Sequence, residues 1–292
     1  MNTAELVQII TPQKYILNGF WFGVQHPHRA VILTHGLTSN AFANHDLVVP
    51  LADSQTGVLT YSNRGSEKIA RFKRVDKRRK KGYTSCMIGE AHEVFTDCID
   101  DIQGAVNFAK AKGAKEIILI GHSTGSQKTV YYLSKRTDPA IKGAVLLSPL
   151  SDFAGVHVMD TKGYYEKAKT YAEELVQKGM PHELIPTAIW PYLHDAQRFL
   201  SLYTAESKEE VFCYATPHKR PRTLLKIKKP LLVVVGGDDS SADRPIRQIV
   251  QWFQKRLRKK QAEVVSIPHA PHNFYLHERE VVSAVSSWIS RL

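Results

Sequence analysis

Apolar runs alternate with stretches of helical period along most of the chain. AVILT (30–34), GVLTY (57–61), EIILI (116–120), GAVLL (143–147), LLVVV (231–235) and AEVVSI (262–267) are nearly continuous aliphatic. Runs of that kind suit strands buried on both faces. Between them, residues 90–112 place Val94, Cys98, Ile102, Ala105 and Ala109 on one helical stripe and Glu93, Asp97, Asp100 and Asp101 off it, and 124–135, 245–260 and 275–291 read as further helices. Strands alternating with helices predict an α/β fold with a mostly parallel sheet and helices on both faces. The segments around VQII and YILNGFWFG predict an antiparallel edge hairpin.

One interval breaks the alternation. Residues 151–229 separate two consecutive strands, yet a crossover needs only about a dozen residues. YYEKAKTYAEELVQKG and HDAQRFLSLY inside it have helical patterning. The surplus predicts a helical cap (151–229) inserted into a core made of residues 1–150 and 230–292.

Composition adds boundaries rather than detail. In 292 residues, 43% hydrophobic and 23% charged are ordinary globular values. Cys86, Cys98 and Cys213 are odd in number and lack a CxxC spacing, which argues for a reducing compartment. The start, MNTAELVQII, lacks the basic and apolar pattern of a signal peptide, and no apolar stretch approaches the ~20 residues that span a bilayer. A cytoplasmic location is expected.

The chemistry centres on IILIGHSTGSQ, residues 117–127. GHSTG (121–125) fits the GxSxG elbow, in which a strained strand-to-helix turn raises a serine hydroxyl above the sheet. A side chain at Gly121 or Gly125 would collide with the neighbouring strand or helix. The other reading makes Ser123 a helix N-cap, but an aliphatic strand before the motif and a helix directly after it favour the elbow. A serine nucleophile needs a base, and the base needs a carboxylate to orient it. In chain order the acid follows Ser123 and the histidine comes last. LLVVVGGDD offers Asp239 after a strand, with Asp238 adjacent and Asp152 after the preceding strand as alternatives. SIPHAPHNFYLHERE offers His272 in the loop before the last helix; His269 reads as a solvated loop histidine and His277 falls within that helix. HGLT after AVILT turns backbone amides toward the site, which makes the N–H groups of Leu37 and Thr124 the expected oxyanion donors and places His35 and Gly36 beside the substrate. Trp190, Tyr192 and Phe199 are expected to line a substrate pocket under the cap, or else to form the cap's own core.

The excess charge is concentrated in one segment. Residues 64–81 hold ten Lys or Arg against Glu67 and Asp76, a net +8 of the chain's +12. Such a run is a solvated face, a steering field for an anionic substrate, or a phosphate contact to nucleic acid or membrane. It lacks the aromatic interleaving that single-strand stacking uses, so nucleic-acid contact is not expected. It follows the strand ending near Tyr61, which puts it on the edge of the sheet where the active site is expected; the acidic side of the 90–112 helix is positioned to neutralise part of it. No metal-ligand spacing, Walker loop or GxGxxG appears, so neither a metal nor a nucleotide cofactor is expected.

HGLT, SNRG, GHSTG, GGDD and PHNF occur in an order that resembles the α/β-hydrolase superfamily over nearly the whole chain. GHSTGSQKTVYYL, AEELVQKGMPHELIP and AQRFLSLY are similar to the family that includes fungal fusarinine C (siderophore) esterases. The resemblance implies a serine esterase with Ser123, Asp239 and His272 as triad, no cofactor and a small ester as substrate. Thioester or amide cleavage and acyl transfer use the same triad. A non-catalytic protein binding through 64–81 is the contrasting class. SSADRP after Asp239 departs from the esterase pattern.

Overall fold

The computed structural model describes residues 4–257 and 261–292. Ten strands form one sheet among the described residues: β1 (Ala4–Ile10), β2 (Tyr15–Phe22), β3 (Arg29–Thr34), β4 (Thr56–Tyr61), β5 (Arg71–Val75), β6 (Tyr83–Met87), β7 (Glu116–His122), β8 (Ile141–Leu147), β9 (Leu231–Gly236) and β10 (Ala262–Ile267). From β10 through β9, β8, β7 and β3 to β4 every neighbouring pair is parallel. The expected edge hairpin is β1 with β2, which pair antiparallel, and β2 in turn pairs antiparallel with β4.

The helices are α1 (His45–Val48), α2 (Cys98–Ala111), α3 (Thr124–Lys135), α4 (Asp152–Met159), α5 (Tyr165–Gln177), α6 (Ala196–Tyr203), α7 (Arg222–Leu225), α8 (Ile246–Arg256) and α9 (Glu278–Ile289). Alternate side chains of the buried strands face opposite ways. Ile32, Leu59, Leu119 and Val233 therefore pack with α2, α3 and α8, while Val31, Val58, Ile118 and Val234 pack with α1 and α9. The two faces explain why the strand sequences show no polar alternation. Residues 258–260, part of the helix expected over 245–260, lie outside the described residues.

Two expectations change. The helix expected from Glu90 begins at Cys98; residues 90–97 form two short 3-10 turns instead. Glu90 is drawn inward to His194 and Glu93 to Lys128 and Arg198. Asp100 and Asp101, expected on the solvated side, are 6% and 2% exposed. Their partner is Arg64, whose guanidinium also reaches Asp97. The first cation of the basic segment is thus buried and neutralised by the start of α2.

The later cations of that segment lie on β5 and on the turn that leads to β6, and their charge hid the first strand of this hairpin. Phe72 is buried between exposed Arg71 and Lys73, but Arg74, on the same face as Phe72, is exposed as well, so the alternation is broken and three of the five residues are cationic. Ile16 of β2 pairs with Ile10 on one edge and Lys73 on the other, and Gly19–Phe22 pair with β4 on the edge β5 also uses. The hairpin accordingly extends past the carboxyl end of β4. Its tip is ordered: Asp76 N–H donates to Gly82 O (2.9 Å) and Gly82 N–H to Arg79 O (2.8 Å).

Within 151–229, α5 and α6 with Val156, Ile185 and Trp190 make an apolar cluster of their own. Val211, Phe212, Tyr214, Leu224 and Ile227 return to the main core. No helix among the described residues is long and apolar enough to cross a membrane.

Candidate active site

β7 runs straight into the elbow. Ser123 has φ 54° and ψ −126°, a backbone region that costs a side-chain-bearing residue about 1–3 kcal/mol. The flanking glycines make the turn possible. A Cβ on Gly121 would lie 2.3 Å from Gly125 O, and one on Gly125 would lie 2.0 Å from Thr34 O. The helix and two strands approach too closely for any side chain at either position. Ser123 N–H is satisfied by Leu147 O at 2.9 Å, which ties the corner to β8.

The loop after β3 closes on the serine. A Cβ on Gly36 would come within 2.8 Å of Ser123 Cβ and 3.4 Å of its Oγ. Neither Leu37 N–H nor Thr124 N–H has a hydrogen-bond partner among the described residues. Orphan amides of this kind are unusual inside a fold, and here both belong to residues adjoining the serine or the glycine that faces it.

The loops after β9 and β10 bring the other two residues together. Gly237 N–H donates to Ile267 O (2.8 Å) and Asp238 N–H to Ala270 O (3.0 Å), zipping the two loops side by side. Asp239 Oδ2 then lies 2.7 Å from His272 Nδ1, while its Oδ1 accepts Ser241 N–H at 2.9 Å. Asp239 is buried and the His272 side chain is 26% exposed. With Nδ1 donating to the carboxylate, Nε2 is left as the acceptor. Ser123 Oγ makes no hydrogen bond to His272 or to another described residue. The other candidate acids go elsewhere: Asp238 pairs with His269 (3.2 Å) at the surface, and Asp152 accepts from Gln127 Nε2 (2.8 Å). Burial, reinforced by Glu209, pushes the Asp152 carboxyl well up. His277 lies beside Glu280.

His122, which the sequence did not single out, braces His272. Its Nε2–H donates to His272 O (3.1 Å), the same carbonyl that accepts Ser148 Oγ–H (2.8 Å), and the two imidazoles are 5.4 Å apart. Burial, with His272 adding to it, lowers His122 to about 4. A histidine inside GxSxG was a visible signal without a visible partner.

Three expected substrate contacts are corrected. His35 is buried with both ring nitrogens occupied: Nδ1 donates to Gly36 O (2.8 Å) and Nε2 accepts Asn63 N–H (3.1 Å). Burial, with Lys128 next in effect, lowers it to about 3, so it is a neutral strut inside the loop. Trp190 and Phe199 are 1% and 0% exposed and pack edge to face in the core of the α5–α6 cluster. Each was the largest apolar side chain near the hydrophobic centre of its segment, and that centre closes on itself. Tyr192 alone of the three presents its ring to solvent.

SNRG is explained residue by residue, beginning with Ser62, whose Oγ accepts Ala41 N–H at 3.1 Å. Asn63 Nδ2–H donates to His35 O (3.4 Å) and its Oδ1 accepts Lys128 Nζ–H (3.2 Å). Arg64 binds the α2 aspartates. Gly65 clears space for Glu93, whose carboxylate would meet a Cβ there at 2.4 Å. No group of three or more His, Cys, Asp or Glu among the described residues is arranged to hold a metal ion.

Solved structures share this architecture. An esterase from Pyrococcus furiosus is 20% identical with a TM-score of 0.63, over 99% of this chain and 91% of that one. The siderophore hydrolase EstB from Aspergillus fumigatus is 17% identical with a TM-score of 0.69, over 99% and 98%. Est1E from Butyrivibrio proteoclasticus, solved with ferulic acid bound, is 19% identical with a TM-score of 0.62, over 98% of each chain. At such identities the likeness is one of fold, and the fold is that of the α/β hydrolases. No curated protein matches the sequence. The family described as "Protein of unknown function (DUF1749)" matches residues 80–291, well over half of the chain. This chain belongs to that family, on an α/β-hydrolase fold.

Proposed function

We propose that the chain is a serine hydrolase that cleaves a carboxylic ester through Ser123, His272 and Asp239. One observation carries the reading: the 2.7 Å hydrogen bond between His272 Nδ1 and Asp239 Oδ2, formed on loops that follow strands of the sheet whose elbow presents Ser123. His272 Nε2 takes the proton of the Ser123 hydroxyl as Oγ bonds to the ester carbonyl carbon. The carbonyl electrons move to oxygen, where the N–H groups of Leu37 and Thr124 hold the oxyanion; each donor supplies roughly 10²–10³ in rate by comparison with known holes. Collapse expels the alkoxide, which takes the proton from His272. Water, deprotonated by the same imidazole, then attacks the acyl-enzyme and restores Ser123. The nucleophile–base contact tightens when substrate binds, as such contacts do.

The segment 151–229 acts as a cap in this reading, with Tyr192 facing the bound ester. The exposed cations of the β5–β6 hairpin, past the carboxyl end of β4, favour a small anionic ester. Free Cys86, Cys98 and Cys213 fit a reducing, cytoplasmic setting. Esterase and siderophore hydrolase are the activities named for two of the structural relatives, and both agree with the proposal.

A fluorophosphonate probe tests it. The wild type is expected to be labelled at Ser123 and Ser123→Ala to be spared. Labelling at another serine, or none on folded protein, removes the proposal. A panel of esters, thioesters and amides, with product analysis for acyl transfer, then fixes the bond cleaved.

A further inference from the structure

Behind the Ser123 corner lies a chain of buried charges that the hydrolytic steps do not use. Lys128, one turn along α3 from the elbow, places Nζ 2.6 Å from Glu93 Oε1, and the two side chains are 1% and 4% exposed. The other Glu93 oxygen lies 2.9 Å from Arg198 Nη2 on α6. Arg198 Nη1 bonds Glu209 at 2.7 Å, and that pair is 0% and 1% exposed. Two cations and two carboxylates thus balance one another out of water. Burial alone would push the Glu93 carboxyl up, but Lys128 and Arg198 together hold it below its ordinary value.

Such a quartet is a poor device for stability. Desolvating each ion costs several kcal/mol, and packed apolar residues of similar volume commonly do as well. What ions and their hydrogen bonds supply is direction, and the directions here lead to one place. Lys128 Nζ also donates to Asn63 Oδ1, and Asn63 grips both the ring and the carbonyl of His35. The His35–Leu37 loop has left the β3 ladder and depends on such contacts. Its far end is held differently: the Leu37 side chain packs against the α5–α6 apolar cluster. That cluster is seated by Arg198 on Glu93 and by Gln197 Nε2 donating to Glu93 O (3.0 Å). One carboxylate is therefore shared by the nucleophile helix, by the 151–229 segment and, through Lys128 and Asn63, by the loop facing Ser123.

We propose that Lys128 and Glu93 are positioning residues that set the His35–Leu37 loop against Ser123 according to how the 151–229 segment is seated. The inference rests on the hydrolase reading for its catalytic consequence, though not for its mechanical one. The loop is held from both ends by elements that meet at Glu93. A disturbance of α6 reaches the oxyanion donor without touching the substrate, and it changes kcat rather than KM.

The test compares Lys128→Met with the double variant Lys128→Met/Glu93→Gln. The single variant leaves a carboxylate in excess and is expected to melt lower. The double variant keeps Arg198 with Glu209, restores neutrality and is expected to melt close to the wild type, yet it lacks the Lys128–Asn63 hydrogen bond. In the double variant kcat is expected to fall roughly tenfold or more with KM little changed, and amide exchange of residues 35–38 to quicken by about tenfold while the central strands exchange as before. Asn63→Ala breaks the same relay without touching a buried charge and is expected to reproduce the faster exchange, so the test stands even where the double variant folds poorly. Wild-type kcat and wild-type exchange in a stable double variant, or unchanged exchange in Asn63→Ala, overturn the inference. Absence of turnover in the wild type counts against the hydrolase reading alone, because the exchange measurement still decides whether the charges hold the loop.

Discussion

Acid tests the neutral histidine that props His272. Burial, with His272 beside it, takes His122 from its ordinary 6.5 to about 4. Between those values the unfolded chain binds a proton that the fold refuses. His122 therefore makes its full contribution to stability above pH 6.5, and that contribution is lost as the pH falls toward 4. At 1.36 kcal/mol per pKa unit, the whole span is about 3 kcal/mol, of which moving from pH 7 to pH 5 removes about 2 kcal/mol. His122→Gln keeps an N–H donor for His272 O and removes the titration. Urea unfolding of both proteins, followed by tryptophan fluorescence at pH 7, 6 and 5, isolates the effect, since every other titrating group is common to the two. The stability lost by the wild type between pH 7 and 5 should exceed that of the variant by about 2 kcal/mol. With m near 3 kcal/mol/M the midpoints converge or cross by roughly 0.6 M. Identical pH dependence of the two proteins would refute the argument, whatever the constant offset between them, because it would mean that His122 is protonated as readily in the fold as outside it.

Asp239→Asn removes the acceptor that orients His272 and should lower kcat about 10⁴-fold, as in comparable triads, whereas Asp238→Asn, which disturbs only a surface contact with His269, should leave turnover within about twofold of wild type on the general tolerance of exposed sites; steady-state kinetics with one ester distinguishes them. Lys77, Lys80 and Lys81 are exposed on the hairpin tip, so replacing all three with Gln should shift Tm by no more than a degree or two, about what three surface substitutions produce. If the hairpin guides anionic esters, the same variant lowers kcat/KM for them at low ionic strength, with the effect shrinking at 0.15 M salt, where the Debye length is about 8 Å, and with a neutral ester unaffected.

Much of the fold could be read along the chain. AVILT, GVLTY, EIILI, GAVLL and LLVVV became central strands because aliphatic runs bounded by turns have few other stable uses. GHSTG became a strained corner at Ser123 because its glycines are the only residues that fit where β7 and α3 meet β3. The strands are short-range decisions, made by neighbours a few residues apart, and the corner carries its own local signature although β3 is what Gly125 must clear. The cationic hairpin was legible only in part. Phe72 is buried, but a strand with Lys or Arg at three of its five positions looks like a solvated run.

Partnership was decided only in three dimensions. Periodicity reports which side of a helix is apolar and says nothing about which remote charge will meet a carboxylate. Hence Glu93, Asp100 and Asp101 looked like a solvent face, although each had a buried cation waiting in Arg64, Lys128 or Arg198. Asp239 was likewise preferred over Asp238 and Asp152 only on its place after a strand, and it is the zipped loops after β9 and β10 that put it against His272. His35, Trp190 and Phe199 had residue types suited to a substrate site, and the fold buried all three. Local propensity selects the elements; which side chains share a cavity depends on how distant elements pack, and that information is spread over the whole chain.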